Sequence, residues 1–407
     1  MMEEIVIVGG GPGGIAAAIS AKDNGKAVII LEGKDRIGKK LLMTGNGRCN
    51  LTNKYVSSDK YHSRSRELLE SVIDTFGIKE ITDFYSYIGI PVKEQDGGRM
   101  YPFSLQASSV LDILRLSLEE RNIEVRTNCK VKRVIHKDNY FSIETSSGII
   151  ESKKVILCTG GNSYKSTGSD GSGYALAEGL GHSIIRPLPA LTALILDYSR
   201  LKALSGIKIN GAAKIETKDA AYDASGEILF TDYGVSGPAV FNLSRFASIE
   251  LDKKREVKLE IDIVPEIEKT QFNEFLRNHF LIFSYRSISD ALIGILNKKL
   301  IPILLKESKI DDIHKPCYLL SEEEIISIVN LIKGWSFNVL AAASLDMAQV
   351  TIGGVDTSEV NPKTLESKLQ KSLYFAGELL DVDGDCGGYN IHFAVSSGYI
   401  AGKNAAI

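Results

Sequence analysis

Gly9, Gly11 and Gly14 form a Gly-x-Gly-x-x-Gly turn between an apolar run, Ile5 to Val8, and an apolar, helix-like segment from Ile15. This spacing suits the binding of a pyrophosphate. Gly9 can take the backbone angles of a tight strand-to-helix turn. Gly11 has no side chain to block a phosphate, and Gly14 lets the helix pack closely on the strand. The helix N-terminus then offers free N–H groups and a partial positive charge to the anion. A second apolar run, Ala27 to Leu31, ends in Glu32. A carboxylate about 20 residues past the turn, at a strand tip, can accept the hydroxyls of an adenosine ribose.

Little else in the chain competes as a chemical centre. Cysteines 49, 129, 158, 317 and 386 contain no Cys-x-x-Cys, which argues against zinc and iron–sulfur sites. The six histidines include no His-x-x-x-His on an expected helix, and no Ser-His-Asp order is visible. We therefore expect no metal. The net charge of −3 gives no reason to expect nucleic acid or an anionic membrane as partner. No apolar run reaches the ~18 residues of a membrane span. Odd, unpaired thiols and an acidic Met-Met-Glu-Glu start, with no cleavable signal visible, point to the cytoplasm. The expected partner is a small-molecule substrate.

The elements that would position these residues fall into an α/β pattern. With 407 residues, 44% hydrophobic and 24% charged, the chain has the composition of a globular enzyme of two or three domains. Helices are expected at 64–76 and 79–88, a hairpin around Asp96-Gly97-Gly98, and a helix N-capped by Ser109. Val155 to Leu157 reads as a strand covered on both faces and ends in Thr159-Gly160-Gly161, where a ligand can approach the carboxyl end of a central strand. Residues 192–264 alternate like an antiparallel β domain, 265–334 read as helical, and 335–356 as returning strands. Residues 1–191 and 357–407 would together build the nucleotide domain, with a closing helix from about Ile391 to Ala406.

Three features favour FAD over a nicotinamide cofactor. Phe375 to Gly384 ends an apolar strand in Gly377 and acidic residues that can bond a ribityl chain. Gly387-Gly388-Tyr389-Asn390 precedes a helix whose amides can face the flavin pyrimidine edge. Gly160 and Gly161 would lie between these segments. A cofactor contacted from both ends and the middle of a chain is long and permanently held. No second Gly-x-Gly-x-x-Gly follows a later apolar strand, so NADH or NADPH is expected only as a transient electron donor.

Thr44-Gly-Asn-Gly-Arg-Cys-Asn-Leu-Thr-Asn53, Leu229 to Pro238, Gln349 to Val355 and Phe375-Ala-Gly-Glu with Gly387-Gly-Tyr-Asn390 resemble the signature blocks of the BaiN/YhiN-type bacterial flavoproteins. That family includes proteins named as 3-dehydro-bile-acid Δ4,6-reductases and as aminoacetone oxidases. The resemblance runs from Ile5 to the C-terminus in order. It implies a Rossmann-like, two-dinucleotide-binding FAD domain carrying an inserted antiparallel, barrel-like β domain and a small helical domain. It also implies that Gly9, Gly11, Gly13 and Gly14 cradle the pyrophosphate and that Glu32 holds the adenosine ribose; Pro12, Gly33 and Lys34, beside them in the sequence, are further cofactor-binding candidates. Lys40, Leu41 and the loop Thr44, Gly45, Asn46, Gly47, Arg48, Cys49 and Asn50 would run beside the ribityl chain and ring. Val131 would pair with the adenine. Thr159, Gly160 and Gly161 would approach the cofactor. Gly377, Glu378 and Asp381 would close the ribityl side, and Gly387, Gly388, Tyr389 and Asn390 the pyrimidine edge. Family members often carry Gln and a large aromatic next; here Ile391 and His392 stand there.

The flavin would carry the redox chemistry, with His392, Tyr389 and Arg48 as candidate catalytic residues. His392 can donate a proton or orient a substrate; a lone histidine is more often a structural hydrogen-bonder. Tyr389 can stack on or bond near the ring, or simply pack. Arg48 can stabilise reduced flavin or a substrate carboxylate, or pin its loop. Arg99 and Tyr101, on the hairpin, can reach the substrate side, and Cys49 lacks a partner thiol. The substrate pocket is expected between the flavin domain and the insertion, with Ser236-Gly237-Pro238 in a loop lining it. The favoured activity is NAD(P)H-linked reduction of an unsaturated or keto molecule of the 3-oxo-Δ4,6 bile-acid type. The alternatives are an amine oxidase of aminoacetone type using dioxygen, and a non-catalytic FAD-binding or RNA-associated protein.

Overall fold

A computed structural model describes residues 2–407. Two compact units divide the chain: residues 1–188 with 345–407, and residues 189–344.

The first unit is built on a parallel core. Strand Glu3–Val8 pairs in parallel with Val28–Leu31 on one side and with the end of Gly148–Leu157 on the other. Leu373–Phe375 adds to the far side of Val155–Leu157 in the same direction. These four runs carry little polar alternation because both faces are covered, and Ile7, Ile30, Ile156 and Phe375 are fully buried. The first half of Gly148–Leu157 instead pairs antiparallel with Phe141–Thr145, which pairs with Val131–His136. Helix Pro12–Asp23 packs on the last helix, Tyr389–Ala405. Their approach requires glycine: a Cβ on Gly398 would lie 2.1 Å from the Gly13 carbonyl oxygen, and one on Gly402 2.2 Å from that of Ala17. The two chain ends are thereby held together.

The local readings met the structure unevenly. The expected helices appear as Arg66–Thr75 and Ile78–Tyr87, and the hairpin as Val92–Gln95 with Arg99–Pro102, turned by Gly97 and Gly98 at φ +72° and +71°. Ser109 is not an N-cap. The helix Ala107–Glu120 begins two residues earlier, and the Ser109 hydroxyl donates to the Gln106 side chain at 3.1 Å. Val350–Val355 pairs with Ile184–Ala190 and belongs to the first unit. The returning part of the insertion therefore ends near Ser344, short of 356.

The second unit is a closed six-stranded antiparallel barrel. Its strands run Leu194–Asp197, Gly234–Ser236, Ala221–Phe230, Lys208–Glu216, Val257–Asp262 and Trp335–Ala342 around the closure. Burial alternates residue by residue along Trp335–Val339, turning Trp335, Phe337 and Val339 inward. The helix Pro238–Asp252 was not anticipated within the β pattern. Ser236-Gly237-Pro238 reads as a loop, whereas Ser236 ends a strand, Gly237, at φ +106°, N-caps the helix and Pro238 opens it. Helices Lys269–Ile282, Ile288–Leu292, Ile301–Glu307 and Glu322–Lys333 follow. The last begins in a capping box, with Ser321 and Glu324 exchanging side-chain and backbone bonds. Among the described residues no helix is long and apolar enough to cross a membrane, and no group of three or more His, Cys, Asp or Glu is placed to hold a metal.

Candidate active site

The turn after the first strand takes the shape its glycines permit. Gly9 sits at φ +107°, and a Cβ there would lie 2.4 Å from the Cys158 carbonyl oxygen. A Cβ on Gly14 would lie 2.0 Å from the Gly9 carbonyl oxygen, which fixes the close helix–strand contact. Gly11 faces open space instead, with nothing within 4 Å of where its Cβ would be. It N-caps the helix, and no side chain caps that end. The first-turn amides are thus left for an anion. Glu32 is held firmly: its carboxylate accepts the Gly10 N–H at 2.9 Å and the Lys34 N–H at 2.8 Å.

Gly9, Gly11, Glu32 and Lys34 line a cleft of about 1110 Å3, measured out into its open mouth. Of the expected residues, Gly9, Gly11, Pro12, Gly13, Glu32, Gly33, Lys34, Lys40, Val131, Thr159, Gly160, Gly377 and Glu378 line it. Gly14 and Leu41 are buried and do not line it. Gly161 packs on Thr351, where a Cβ would come within 2.5 Å of its hydroxyl, and Asp381 accepts the Arg64 N–H at 3.1 Å.

One network at the inner end joins distant segments. Lys40 donates to Glu378 at 2.6 Å and to Ser163 at 2.7 Å; Ser163 donates to the other Glu378 oxygen at 2.9 Å, which also accepts the Thr351 N–H at 2.9 Å. Lys40 and Glu378 were each expected; Thr351 falls inside the Gln349 to Val355 block but was not singled out, and Ser163 carries no sequence signal that would have found it. Ser169 was missed as well. It lines the cleft, and its buried hydroxyl has no partner. Gly168 and Gly171, which flank it at φ +111° and +77°, were the available hint.

The remaining expected residues gather in a second cluster. Asn53 donates its amide to the Gly387 carbonyl at 3.0 Å, and Asn390 both accepts the Gly384 N–H and donates to its carbonyl, each at 2.8 Å. Gly388, at φ +99°, packs so tightly on Thr52 that a Cβ would lie 2.5 Å from its carbonyl oxygen. Asn50 Oδ1 is buried there with no partner. Beside this cluster the loop Thr44 to Cys49 turns through left-handed backbone at Gly45, Asn46, Gly47 and Cys49. Arg48 stays exposed, its guanidinium 5.0 Å from the Tyr101 ring centroid. Cys49 is fully buried and its thiol is pushed up to about 12, so it is inert at neutral pH.

His392 is not available to a substrate. It is fully buried, its Nδ1 accepts from the Thr52 hydroxyl at 2.7 Å, and its Nε2 donates to the Phe76 carbonyl at 3.2 Å. Burial lowers it to about 4, so the ring is neutral, with the proton on Nε2. The expectation of a proton donor here is corrected: both nitrogens are already used.

The cleft fits a flavin dinucleotide on its own geometry. It has free helix amides over an open glycine, a carboxylate at the second strand tip, lysines 34, 39, 40 and 130 along its walls, and an unpartnered Ser169 hydroxyl. Residues 3–404 match the family model described as HI0933-like protein Rossmann domain. The chain is 38% identical to a protein of Clostridium scindens named 3-dehydro-bile acid delta(4,6)-reductase, covering 100% of this chain and 99% of that one. It is 26% identical to a ribosomal RNA dihydrouridine synthase of Escherichia coli, over 98% and 97% of the two chains. The solved 3-ketosteroid delta1-dehydrogenase of Sterolibacterium denitrificans shares the fold at TM-score 0.54 and 12% identity, covering 100% of this chain and 99% of that one. The chain belongs to the HI0933-like family and is a Rossmann-type, FAD-dependent oxidoreductase.

Proposed function

We propose that this oxidoreductase reduces a carbon–carbon double bond conjugated to a ketone, in a fused-ring molecule of the 3-oxo-4,6-diene bile-acid type, with NADH or NADPH as transient electron donor. The observation that carries this is the 38% identity, over the full length of both chains, to a protein named as such a reductase. Reduced FAD supplies the hydride that the β-carbon receives.

The chain's own residues orient the acceptor and meet the charge that develops on it. Gly388 N-caps the last helix with no side-chain cap, leaving first-turn N–H groups for negative charge at the adjoining edge. Arg48 has no carboxylate partner among the described residues and is a cation for the ketone oxygen or an acidic substrate side chain. His392 holds Thr52 and the Phe76 carbonyl in place rather than touching substrate. Five free thiols fit work in a reducing cytoplasm.

The relative named as a ribosomal RNA dihydrouridine synthase supports a second reading. The 5,6 double bond of uracil is also conjugated to a carbonyl, so its reduction asks for the same hydride and proton. Lower identity and a net charge of −3 put this reading second.

The test is anaerobic incubation of the FAD-loaded protein with NADH or NADPH and a 3-oxo-4,6-diene steroid. Loss of dienone absorbance supports the proposal. Turnover only of ribosomal RNA lacking dihydrouridine selects the second reading. Peroxide formation with aminoacetone and dioxygen, and inertness to both other substrates, would overturn both.

A further inference from the structure

Reduction of an enone needs a proton as well as a hydride, and with His392 enclosed its source must lie elsewhere. Tyr389 opens the last helix directly after the glycine pair. Its ring is fixed: Tyr61 meets it edge-on at 5.7 Å and 80°, and the Tyr61 hydroxyl donates to the Tyr389 carbonyl at 3.1 Å. Gly387 leaves room for the ring, since a Cβ there would lie 2.9 Å from Tyr389 Cε2. The Tyr389 hydroxyl itself makes no hydrogen bond among the described residues.

The titratable groups that face this phenol come from three places. Asp385 and Cys386 lie on the loop before the helix, and Arg99 on the strand Arg99–Pro102; Tyr61 is the neutral neighbour. Asp385 is turned to His62, 3.3 Å away. Arg99 makes no ion pair among the described residues. Its strand is tied to the glycine loop, because Arg99 pairs in register with Asn53, whose amide holds the Gly387 carbonyl.

Resting on the reductase reading above, we propose that Tyr389 is the proton donor of the reduction and that Arg99 is a positioning cation that stabilises the phenolate left behind. The hydride forms a C–H bond at the β-carbon, and the double-bond electrons move toward the carbonyl oxygen as an enolate. The Tyr389 O–H bond then breaks. Its proton goes to the α-carbon, where the enolate electrons form the second C–H bond, and water returns a proton to the phenolate. Burial first, and then Asp385, raises the phenol, so Tyr389 is protonated when needed; Arg99 opposes that rise.

The test uses FAD-loaded wild type, Tyr389→Phe and Arg99→Met. Each is reduced with NADPH and then mixed anaerobically with the 3-oxo-4,6-diene steroid. Tyr389→Phe should slow flavin reoxidation by about 100-fold or more while leaving reduction by NADPH within a few-fold. Arg99→Met should give a smaller loss. Without substrate, the tyrosinate absorbance of the holoprotein against pH should lose one phenol in Tyr389→Phe, and that phenol should titrate higher in Arg99→Met. Reoxidation of Tyr389→Phe at the wild-type rate, or an unmoved phenol in Arg99→Met, would overturn the assignment. If the steroid does not reoxidise the wild type, the substrate reading falls, and the titration alone decides the pairing of Tyr389 with Arg99.

Discussion

The cleft around Gly11 and the cluster around Gly388 are built in opposite ways. The first is made mainly of backbone: a glycine turn, uncapped helix amides, and a carboxylate fixed by two N–H groups. The second is made of side chains from segments more than 300 residues apart, with Asn53 on Gly387 and Thr52 on His392. Backbone recognition is general, since any pyrophosphate satisfies it. Side-chain recognition is particular. On the proposed function, the first region would hold the cofactor and the second would decide what the cofactor reacts with.

The largest expected effect breaks both regions at once. Gly398→Val would drive a side chain into the Gly13 carbonyl, where even a Cβ would lie only 2.1 Å away. Separating the two chain ends should cost on the order of 3 kcal/mol or more, read as a lowered urea midpoint together with loss of bound flavin.

The next effect belongs to the second region. His392 is lowered to about 4, below its ordinary value of about 6.5, so the unfolded chain binds the extra proton between these values. Its contribution is whole above pH ~6.5 and is lost as pH falls toward 4, by about 3 kcal/mol in all. Urea midpoints from pH 7.5 to 4.5 should fall in the wild type and fall less steeply in His392→Gln.

A matched pair separates the two regions. Glu32→Ala should weaken FAD binding by about 10- to 100-fold, the worth of a charged hydrogen-bond acceptor, with little change in substrate reduction at saturating FAD. Asn53→Ala should do the reverse, leaving FAD affinity within a few-fold and slowing substrate reduction. Equal losses of affinity from both would remove the distinction. The smallest effect is that of Ser169→Ala. Removing a hydroxyl that has no protein partner should leave the flavin-free protein as stable as before and lower FAD affinity by roughly 3- to 10-fold.

The same contrast explains what the amino-acid sequence disclosed. Gly9, Gly11, Gly14 and Glu32 lie within one strand–turn–helix–strand unit, so their spacing alone fixes their geometry. Apolar runs with no alternation marked the central strands for the same local reason. Long-range partnerships were not legible. Nothing in the residues around Lys40 shows that Ser163 and Glu378 close on it, and nothing near Ile391 shows that Thr52 and Phe76 occupy both nitrogens of His392. The helix Pro238–Asp252 was hidden because glycine and proline mark a turn and a helix start equally well. The resemblance to known flavoproteins supplied residues that periodicity did not, among them Val131, which lines the cleft.

The most direct test is a crystal structure of the protein purified with its flavin. One continuous molecule is predicted, with its ribose on Glu32, its pyrophosphate over the Gly11–Gly14 amides and its tricyclic ring beside Gly388 and Tyr389. A dinucleotide that ends within the cleft at Lys40 and Glu378, or a ring lying away from Gly388, would contradict the account.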